Sequence, residues 1–494
     1  MPLPTPFFRR SAFAILVLAL AAAGRAQTPP VADTPLTLAD CVQRALARNF
    51  DIELGHYDTA NAAADVSIAR AGFDPVFNAS TDRSGSRIEG ASHATYGWNS
   101  RMGLSQHTVT GADIALSTGL DRTKNRLTNP YNPAYDSDVA LTLSQPLLRG
   151  AGITANRAAL DQARLGVERT GFLYRGTMMD VVRDTEVAYY QLHFARRQLA
   201  VRRLSLEAAQ RLLYENTMKR DQGVYTDLEV LSADVGVATQ QRSVLLAEQQ
   251  LRNSEDGLRA LVGQFELDAP LGETSFDAAG DTRPEVTETY TRAKTAQPEY
   301  LALQTQIKQL RIQLSATRRN SLPSLDLGST LGYNAQRSSA ADAIDDLPGS
   351  GGYNWQVGLS LSYPIGSRGE RAKLIQATNN LSRAELQLRR LEQDILVQAR
   401  SSVRAVSTSR EAVRVATLAV ELAQKQYDLE KARFDAGKST ARLVLDAQTD
   451  LDNARVNLLS SQVDLLTAFS QLRRLEGRSL ESYAVAEPPA RTGK

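Results

Sequence analysis

Few side chains in this 494-residue sequence have the type and spacing that catalysis or metal binding requires. The single cysteine, Cys41, has no partner for a disulfide or a cysteine-built metal site, and the four histidines are not at ligand spacing. Acidic pairs such as Asp345–Asp346 and Glu255–Asp256 fall in a polar loop and on a helix face, where solvated carboxylates are expected. The sequence contains no phosphate-binding loop and no nucleophile elbow. It therefore predicts a protein that is not an enzyme, with no catalytic residue, cofactor or metal, and Cys41 is interpreted as a buried small hydrophobe.

The N-terminus has the features of an exported protein. Arg9 and Arg10 precede the apolar run 11–23, and small residues lead to Gln27, which is the pattern of a secretory signal cleaved after Ala26. A twin-arginine signal is a weaker interpretation of the same residues. The apolar run is too short for a membrane helix, which needs about 20 residues, and no other run of 18 apolar residues occurs. Any membrane part of the mature chain is therefore expected to consist of strands.

The overall composition is sufficient for a hydrophobic core but does not indicate a binding partner. Hydrophobic residues make up 42% of the chain, which is ample to bury a core. The net charge of +2 is nearly balanced and does not favour nucleic-acid binding.

One plan of elements occurs twice along the chain. Pro75 and Pro323 are 248 residues apart, Pro146 and Pro364 are 218 apart, and two glycines after predicted helix ends are 214 apart. Each copy predicts a helix, strands, a long helix, a glycine turn and a second helix. The fall in offset from 248 to 218 places 30 additional residues in the strand region of the first copy.

Proline placement and hydrophobic period predict two long helical hairpins. Proline is absent from 147–269 and from 365–487, and a helix interior excludes proline at a cost of about 3 kcal/mol. Small and apolar residues in the second arm of each window are spaced alternately by 3 and 4, as in a coiled coil. A first arm of roughly 70 residues extends about 105 Å, far beyond an ordinary globular domain.

Alternating segments predict membrane strands in both copies. Trp98 and Trp355 lie in these segments with nearby tyrosines, as in the aromatic girdles of outer-membrane barrels. So few strands cannot close a barrel alone, and several chains must therefore share one. The predicted strands are 76–83, 95–105, 113–120 and 138–145 in the first copy, and 325–333 and 355–363 in the second.

These segments together resemble the TolC-like outer-membrane efflux protein family, or outer membrane factors. The resemblance is carried by LTLADCVQRALARN at 36–49, the corners SQPLLRG and SYPIGSRG, the segments QGVYTDLEVLSAD and AGKSTARLVLDAQTDL, and the doubling. It covers residues 36–477. It implies a mainly α fold with a β-barrel part: a homotrimer with a long α-helical periplasmic tunnel and one shared transmembrane β-barrel.

The resemblance also implies a function and a place in the cell. The chain is expected to be the passive outer-membrane exit channel of a tripartite efflux or type I secretion system, spanning from the outer-membrane lipid into the periplasm. Its implied partners are a periplasmic adaptor (membrane fusion protein) and an inner-membrane transporter. The cargo is left open, since drug efflux and protein secretion share this architecture. A structural or adaptor coiled-coil protein of the envelope, without a channel, is the alternative function.

The same reasoning divides the chain into nine segments. The expected segments are a signal peptide (1–26), a helix (36–74), barrel strands (75–146) and a long hairpin (147–263) of repeat 1, an equatorial linker (264–284), a helix (285–322), strands (323–364) and a long hairpin (365–477) of repeat 2, and a C-terminal periplasmic tail (478–494).

Three groups of residues follow from the resemblance. Pro75, Pro146, Pro323 and Pro364 are expected to mark the barrel–tunnel junction. The expected adaptor-docking tips are Gly223, Tyr225, Thr226, Gly437, Ser439 and Thr440.

The third group is a pore gate. The family narrows the tunnel with acidic side chains, and Asp446 falls on a matching position, although Leu443 replaces a second aspartate that the family often carries one helical turn earlier. Asp227 and Asp234 are further gate candidates.

Two barrel sizes remain open from the sequence. The 30 additional residues either add a hairpin of two strands to the barrel, giving 18 strands in a trimer, or fold over the mouth of a 12-strand barrel. The two versions place Thr110 on opposite sides of the membrane, whereas Asn129 lies in an external loop in both.

Overall fold

The computed structural model describes residues 36–483 apart from 88, 90–93, 125–130, 132, 264–270, 276–282 and 348–351. The expected signal segment, most of the linker 264–284, the tail beyond residue 483 and Asn129 thus lie outside the described residues. The helices are α1 (Leu38–Arg48), α2 (Phe50–Ala71), α3 (Ile153–Asn156), α4 (Ala158–Asp221), α5 (Asp227–Val262), α6 (Val286–Ala296), α7 (Pro298–Asn320), α8 (Ala340–Asp345), α9 (Arg368–Asp435) and α10 (Ala441–Leu475). The strands are β1 (Val76–Ser86), β2 (Thr95–His107), β3 (Asp113–Lys124), β4 (Ala134–Pro146), β5 (Ser324–Arg337) and β6 (Gly352–Ser362).

Two very long helices dominate the fold. Helix α4 has 64 residues and α9 has 68, which corresponds to lengths of about 96 and 102 Å. Helix α5 folds back along α4, α10 folds back along α9, and α10 also packs against α4. The seam residues predicted at spacings of 3 and 4 are all buried or half-buried in these hairpins. A mainly helical fold with one sheet is therefore confirmed.

No helix in the described ranges is both long enough and apolar enough to cross a membrane.

The segments 36–74 and 285–322, each expected to form one helix, contain two. Asn49 has an extended backbone, and its side-chain oxygen accepts a hydrogen bond from the N–H of Asp51 at 2.8 Å, so it ends α1 and caps α2. Gln297 is also extended and is followed by Pro298, the first residue of α7. Proline suits the first turn of a helix but disfavours helical geometry in the residue before it. Both breaks thus have local causes.

The six strands form one antiparallel sheet in the order β1-β2-β3-β4-β5-β6. Neighbours in the sequence are therefore neighbours in the sheet, and β4 joins the first half of the chain to β5 of the second half. β1 and β6 are the two edges of the sheet within one chain.

The strands are longer than their alternating patterns predict. β1 continues to Ser86 and β3 to Lys124, because pairing with β2 continues beyond the apolar positions. β6 ends at Ser362, so Tyr363 lies just outside the strand in which it was expected. Backbone hydrogen bonding, rather than side-chain alternation, sets these ends.

The core nearest the N-terminus holds Cys41. It is buried in one cluster with Tyr189, Leu192 and Leu258, as its interpretation as a small hydrophobe requires. Burial raises the pKa of the Cys41 thiol to about 12, and the neighbouring Arg44 only partly opposes this. The native thiol is therefore a poor target for maleimide reagents.

Candidate channel surfaces

The sheet has two chemically distinct faces. On the face that we call the apolar face, the paired row Leu104–Leu116–Leu141–Leu331–Trp355 runs across five strands. These five side chains are exposed in the single chain. The opposite, polar face carries small and polar side chains instead, among them Asn99, Ser117, Thr142, Thr330 and Gln356. One apolar and one polar face are typical of a membrane barrel wall, with the apolar face toward lipid.

The register settles the face of the irregular strand β2. Trp98, Met102 and Leu104 lie on the apolar face, whereas Gly97 and Asn99 lie on the polar face. The sequence of β2 alone does not establish this, because Ser100 and Arg101 interrupt the alternation. The pairing of β2 with β1 and β3 establishes which of its residues lie on each face.

All four predicted junction prolines lie at the helical end of the sheet. Pro75 and Pro323 immediately precede β1 and β5, Pro146 is the last residue of β4, and Pro364 follows the end of β6. Proline is tolerated at these positions because the hydrogen-bond ladder begins or ends there.

Backbone hydrogen bonds join the two halves of the chain at this junction. Leu147 donates its N–H to the carbonyl of Leu325 at 2.7 Å, and Arg149 donates its N–H to the carbonyl of Pro323 at 3.1 Å. The Arg149 side chain adds a bond from Nε to the carbonyl of Leu322 at 3.0 Å. Both chain segments are thereby held in one corner.

The turn between β2 and β3 is docked on the same corner. Gly152 donates its N–H to the carbonyl of Thr110 at 3.0 Å. Gly111 has φ +93°, and a Cβ atom there would lie 2.6 Å from the carbonyl oxygen of Gly150. Only glycine fits this close approach without strain. The turn therefore lies at the helical end of the sheet, opposite the end where β1 leads into β2 and β3 leads into β4.

The predicted tips are two similar turns. Gly223 and Gly437 have φ values of +77° and +72°. The N–H of Gly223 donates to the carbonyl of Arg220, and that of Val224 donates to the carbonyl of Lys219, at 2.8 and 2.9 Å. These are the left-handed helix ends that glycine favours.

The two tips contact each other through an aromatic pair. The rings of Tyr225 and Phe434 have centroids 6.1 Å apart. Lys219 Nζ lies 5.1 Å from the Tyr225 centroid and 4.9 Å from that of Phe434, which are cation–π distances. Tyr225 is therefore a packing residue of the tips.

Short side-chain hydrogen bonds lie just before α5 and α10, the helices that follow the two tips. The N–H of Thr226 donates to Glu229 Oε2 at 2.9 Å, as in a capping box, and the Thr226 hydroxyl lowers the pKa of Glu229. The hydroxyl of Ser439 donates to the Glu430 carboxylate. Thr440 is the extended residue before α10.

The three gate candidates are exposed near the tips. Asp446 Oδ2 lies 4.0 Å from Arg442 Nε, and Asp227 Oδ1 lies 3.8 Å from a guanidinium nitrogen of Arg220. Asp234 is exposed on α5. Across the described ranges, no group of three or more potential metal ligands is found.

Sequence reasoning missed two partly buried ionic clusters, one joining α10 to α4 and α7 and the other joining α4, α10 and Tyr483. Arg474 donates from Nε to Asp180 at 2.9 Å and also contacts Glu299. Glu186, only 1% exposed, is paired with Arg473 at 3.0 Å and accepts a hydrogen bond from the Tyr483 hydroxyl at 2.6 Å. The partners are separated by 175 to 297 residues, so no local pattern predicts them.

The pKa directions at the second cluster follow from its charges. Burial is the largest influence on Arg473 and opposes its charge, but Glu186, Tyr190 and Tyr483 together outweigh burial, and the pKa of Arg473 is raised. Burial, together with Glu186, also raises the pKa of Tyr483.

Known proteins support the sequence resemblance. The Outer membrane efflux protein family matches residues 112–264 and 281–478, which is more than half of the chain. Outer membrane protein TolC of Escherichia coli K12 is 26% identical over 333 residues, covering 64% of this chain and 66% of that protein. Alkaline protease secretion protein AprF of Pseudomonas aeruginosa is 27% identical over 363 residues, covering 69% and 70%. The chain thus spans about two thirds of the length of these relatives.

The fold also matches solved structures. The Campylobacter jejuni CmeC outer membrane channel aligns with a TM-score of 0.69 at 18% identity, covering 90% of this chain and 86% of CmeC. CusC aligns with a TM-score of 0.68 at 13% identity, covering 89% and 92%. These matches and those of the preceding paragraph confirm the resemblance and the location in the outer membrane, and the chain belongs to the outer membrane efflux protein family.

Proposed function

We propose that the protein is the passive exit channel of a tripartite efflux or type I secretion system, acting as a homotrimer. The observation that carries this proposal is the continuity of one sheet, apolar on one face and polar on the other, with helical hairpins about 100 Å long. Such a chain provides a lipid-facing wall and a periplasmic conduit in one piece. An envelope coiled-coil protein without a channel is not expected to expose an apolar sheet face.

The channel is separated from that alternative by its assembly and conductance. The purified chain is expected to run as a heat-resistant trimer on mild detergent gels and to form pores in planar bilayers. Deletion of residues 76–146 is expected to abolish both. A monomeric chain without conductance in bilayers contradicts the proposal.

The shared barrel in this proposal has 18 strands. Each chain contributes six strands with β1 and β6 as free edges, and pairing of these edges around three chains closes a ring. The hairpin β2–β3 shares the apolar face of the other strands, and its turn lies at the junction. The division into nine segments and the doubling of the element order stay predictions, supported by two helix–strand–hairpin series in the chain.

We predict that Val109→Cys, in the β2–β3 turn, resists a membrane-impermeant maleimide on intact cells. The turn faces the periplasm in the 18-strand barrel, and Val109 is exposed there. Labelling is expected once the outer membrane is permeabilised. Asn129→Cys, in the β3–β4 loop, serves as the control and should react on intact cells. Reaction of Val109→Cys on intact cells instead places the hairpin over a 12-strand barrel mouth.

The tips are the proposed docking surface for the periplasmic adaptor, and the inner-membrane transporter is proposed to supply the energy for export. We predict that Val224→Cys and Lys438→Cys cross-link to the adaptor in cells. Both positions are exposed beside Gly223 and Gly437, whereas Tyr225 and Ser439 have packing partners. Ile153→Cys, exposed near the sheet, is the matched control. Cross-linking at position 153 with none at the tips reverses the proposed orientation.

Asp446 is the leading candidate for the gate. Three copies around one axis concentrate negative charge and attract counterions. Asp446→Ala is expected to weaken block by divalent cations in single-channel recordings by about tenfold, equivalent to roughly 1.4 kcal/mol. Asp234→Ala, on the weaker candidate position, is the comparison. Unchanged block and selectivity in Asp446→Ala removes it from the gate.

A further inference from the structure

One row of the sheet alternates cationic and aromatic residues. The register pairs Arg83 with Trp98, Trp98 with Arg122, Arg122 with Tyr135, and Tyr135 with Arg337. All five belong to the apolar face and lie toward the outer loops. Adjacent strands are about 4.8 Å apart, so the arginines recur at about 10 Å.

The side chains of this row are held in place from within the sheet. Trp98 Nε1 donates to Thr81 Oγ1 at 3.0 Å, which directs the indole toward the next row inward. Arg122 Cζ lies 5.7 Å from the centroid of the Tyr135 ring, a cation–π distance. The guanidinium of Arg122 is thus held on the surface of the sheet.

The three arginines of this row differ in whether a carboxylate of the protein already pairs with them. Arg337 Nε is bonded to Asp346 Oδ2 at 2.5 Å, so its charge is already paired. Arg83 and Arg122 are at least partly exposed, and no carboxylate of the described residues forms an ion pair with either. Two of the three cations are therefore available to an external anion.

Charge on the strands is sorted by face. Within the described strands, the apolar face carries only cations, namely Arg83, Arg122, Lys124 and Arg337, all toward the outer ends of their strands. The strand carboxylates lie on the polar face: Asp82, Asp113, Asp121, Asp136, Asp138 and Asp326. A lipid-facing surface with unpaired cations above an apolar band is complementary to anionic head groups at the same level.

We propose that Arg83 and Arg122, flanking Trp98, bind the phosphate groups of phosphorylated lipids in the outer leaflet. Guanidinium groups match phosphate oxygens bidentately, and indole and phenol rings favour the head-group region. The proposal rests on the insertion of this sheet in the outer membrane but not on what the channel carries.

The test uses the full-length assembled protein in phosphatidylcholine nanodiscs with and without a diphosphorylated glycolipid. The measured quantity is the shift in the thermal dissociation temperature that the glycolipid produces. Wild-type protein is expected to show a clear upward shift, and the double variant Arg83→Gln/Arg122→Gln is expected to lose it. Arg101→Gln is the matched control, since Arg101 lies on the polar face of the same sheet and should keep the shift.

A lysine variant and a free-phosphate control complete the test. Arg83→Lys/Arg122→Lys should keep part of the shift, because the charge remains while bidentate geometry is lost, and this variant serves if the glutamine variant fails to assemble. A shift retained in the glutamine variant, or lost equally in Arg101→Gln, overturns the proposal. An equal shift with inorganic phosphate and neutral nanodiscs also overturns it, since the ligand is then free phosphate. Conductance of the glutamine variant in neutral bilayers is expected to match wild type, so a failed channel is recognised separately.

Discussion

Arg473→Met is expected to lower the free energy of unfolding by about 3 kcal/mol. Removing one partner of a buried ion pair leaves an uncompensated charge and costs about 3–5 kcal/mol. Glu186 is almost fully buried, but Arg473 is 34% exposed, which places the expected loss at the lower end. The Tyr483 hydroxyl remains as a donor to Glu186. The measurement is the urea dependence of unfolding in detergent, together with dissociation of the proposed trimer.

A double-mutant cycle identifies the cause of that loss. Glu186→Gln/Arg473→Met removes the stranded charge, so the double variant should be more stable than Arg473→Met alone. Tyr483→Phe, which deletes one hydrogen bond, is the milder comparison at about 1–2 kcal/mol. If the destabilisation of the double variant equals the sum of those of Glu186→Gln and Arg473→Met, Glu186 and Arg473 do not couple α4 to α10.

Gly477→Ala is expected to destabilise the protein by about 3 kcal/mol. Gly477 lies two residues after the end of α10 and has φ +74°, where an L-residue costs about 1–2 kcal/mol. A Cβ atom would also lie 2.6 Å from the carbonyl oxygen of Ala296, so the end of α6 must move. The measurement is the midpoint temperature of heat-induced unfolding and of dissociation of the proposed trimer.

Gly437 supplies a matched control for this substitution. It has nearly the same φ, +72°, but no atom lies within 4 Å of its added Cβ. Gly437→Ala should therefore cost only the backbone term of about 1 kcal/mol. Equal losses at the two glycines would mean that the contact with Ala296 contributes nothing.

The helices and turns of the hairpins could be predicted from the sequence because residues within each element determine it. Proline exclusion and the 3–4 spacing predict α4, α5, α9 and α10, and the two tip glycines predict the turns between them. The break at Asn49 is less visible, since one capping side chain interrupts an otherwise helical segment.

The features missed depend on pairing between distant segments. The Arg83–Trp98–Arg122–Tyr135–Arg337 row exists only once five strands are in register, and a slip of one residue would reverse every face. Glu186 on α4 meets Arg473 and Tyr483 only after α10 of the second hairpin packs against α4 of the first. The predicted docking role of Tyr225 likewise omitted its contact with Phe434, which belongs to the other tip.

The open edges at β1 and β6 have a genetic consequence. In the proposed trimer, each subunit leaves a row of backbone donors and acceptors that only a neighbouring subunit can satisfy inside the membrane. In a ring of three chains, variant chains with a defective edge strand assemble together with normal chains. When both are expressed equally, about one eighth of random trimers contain only normal chains. Edge-strand lesions that still permit association should therefore be dominant, whereas lesions that prevent association should be recessive.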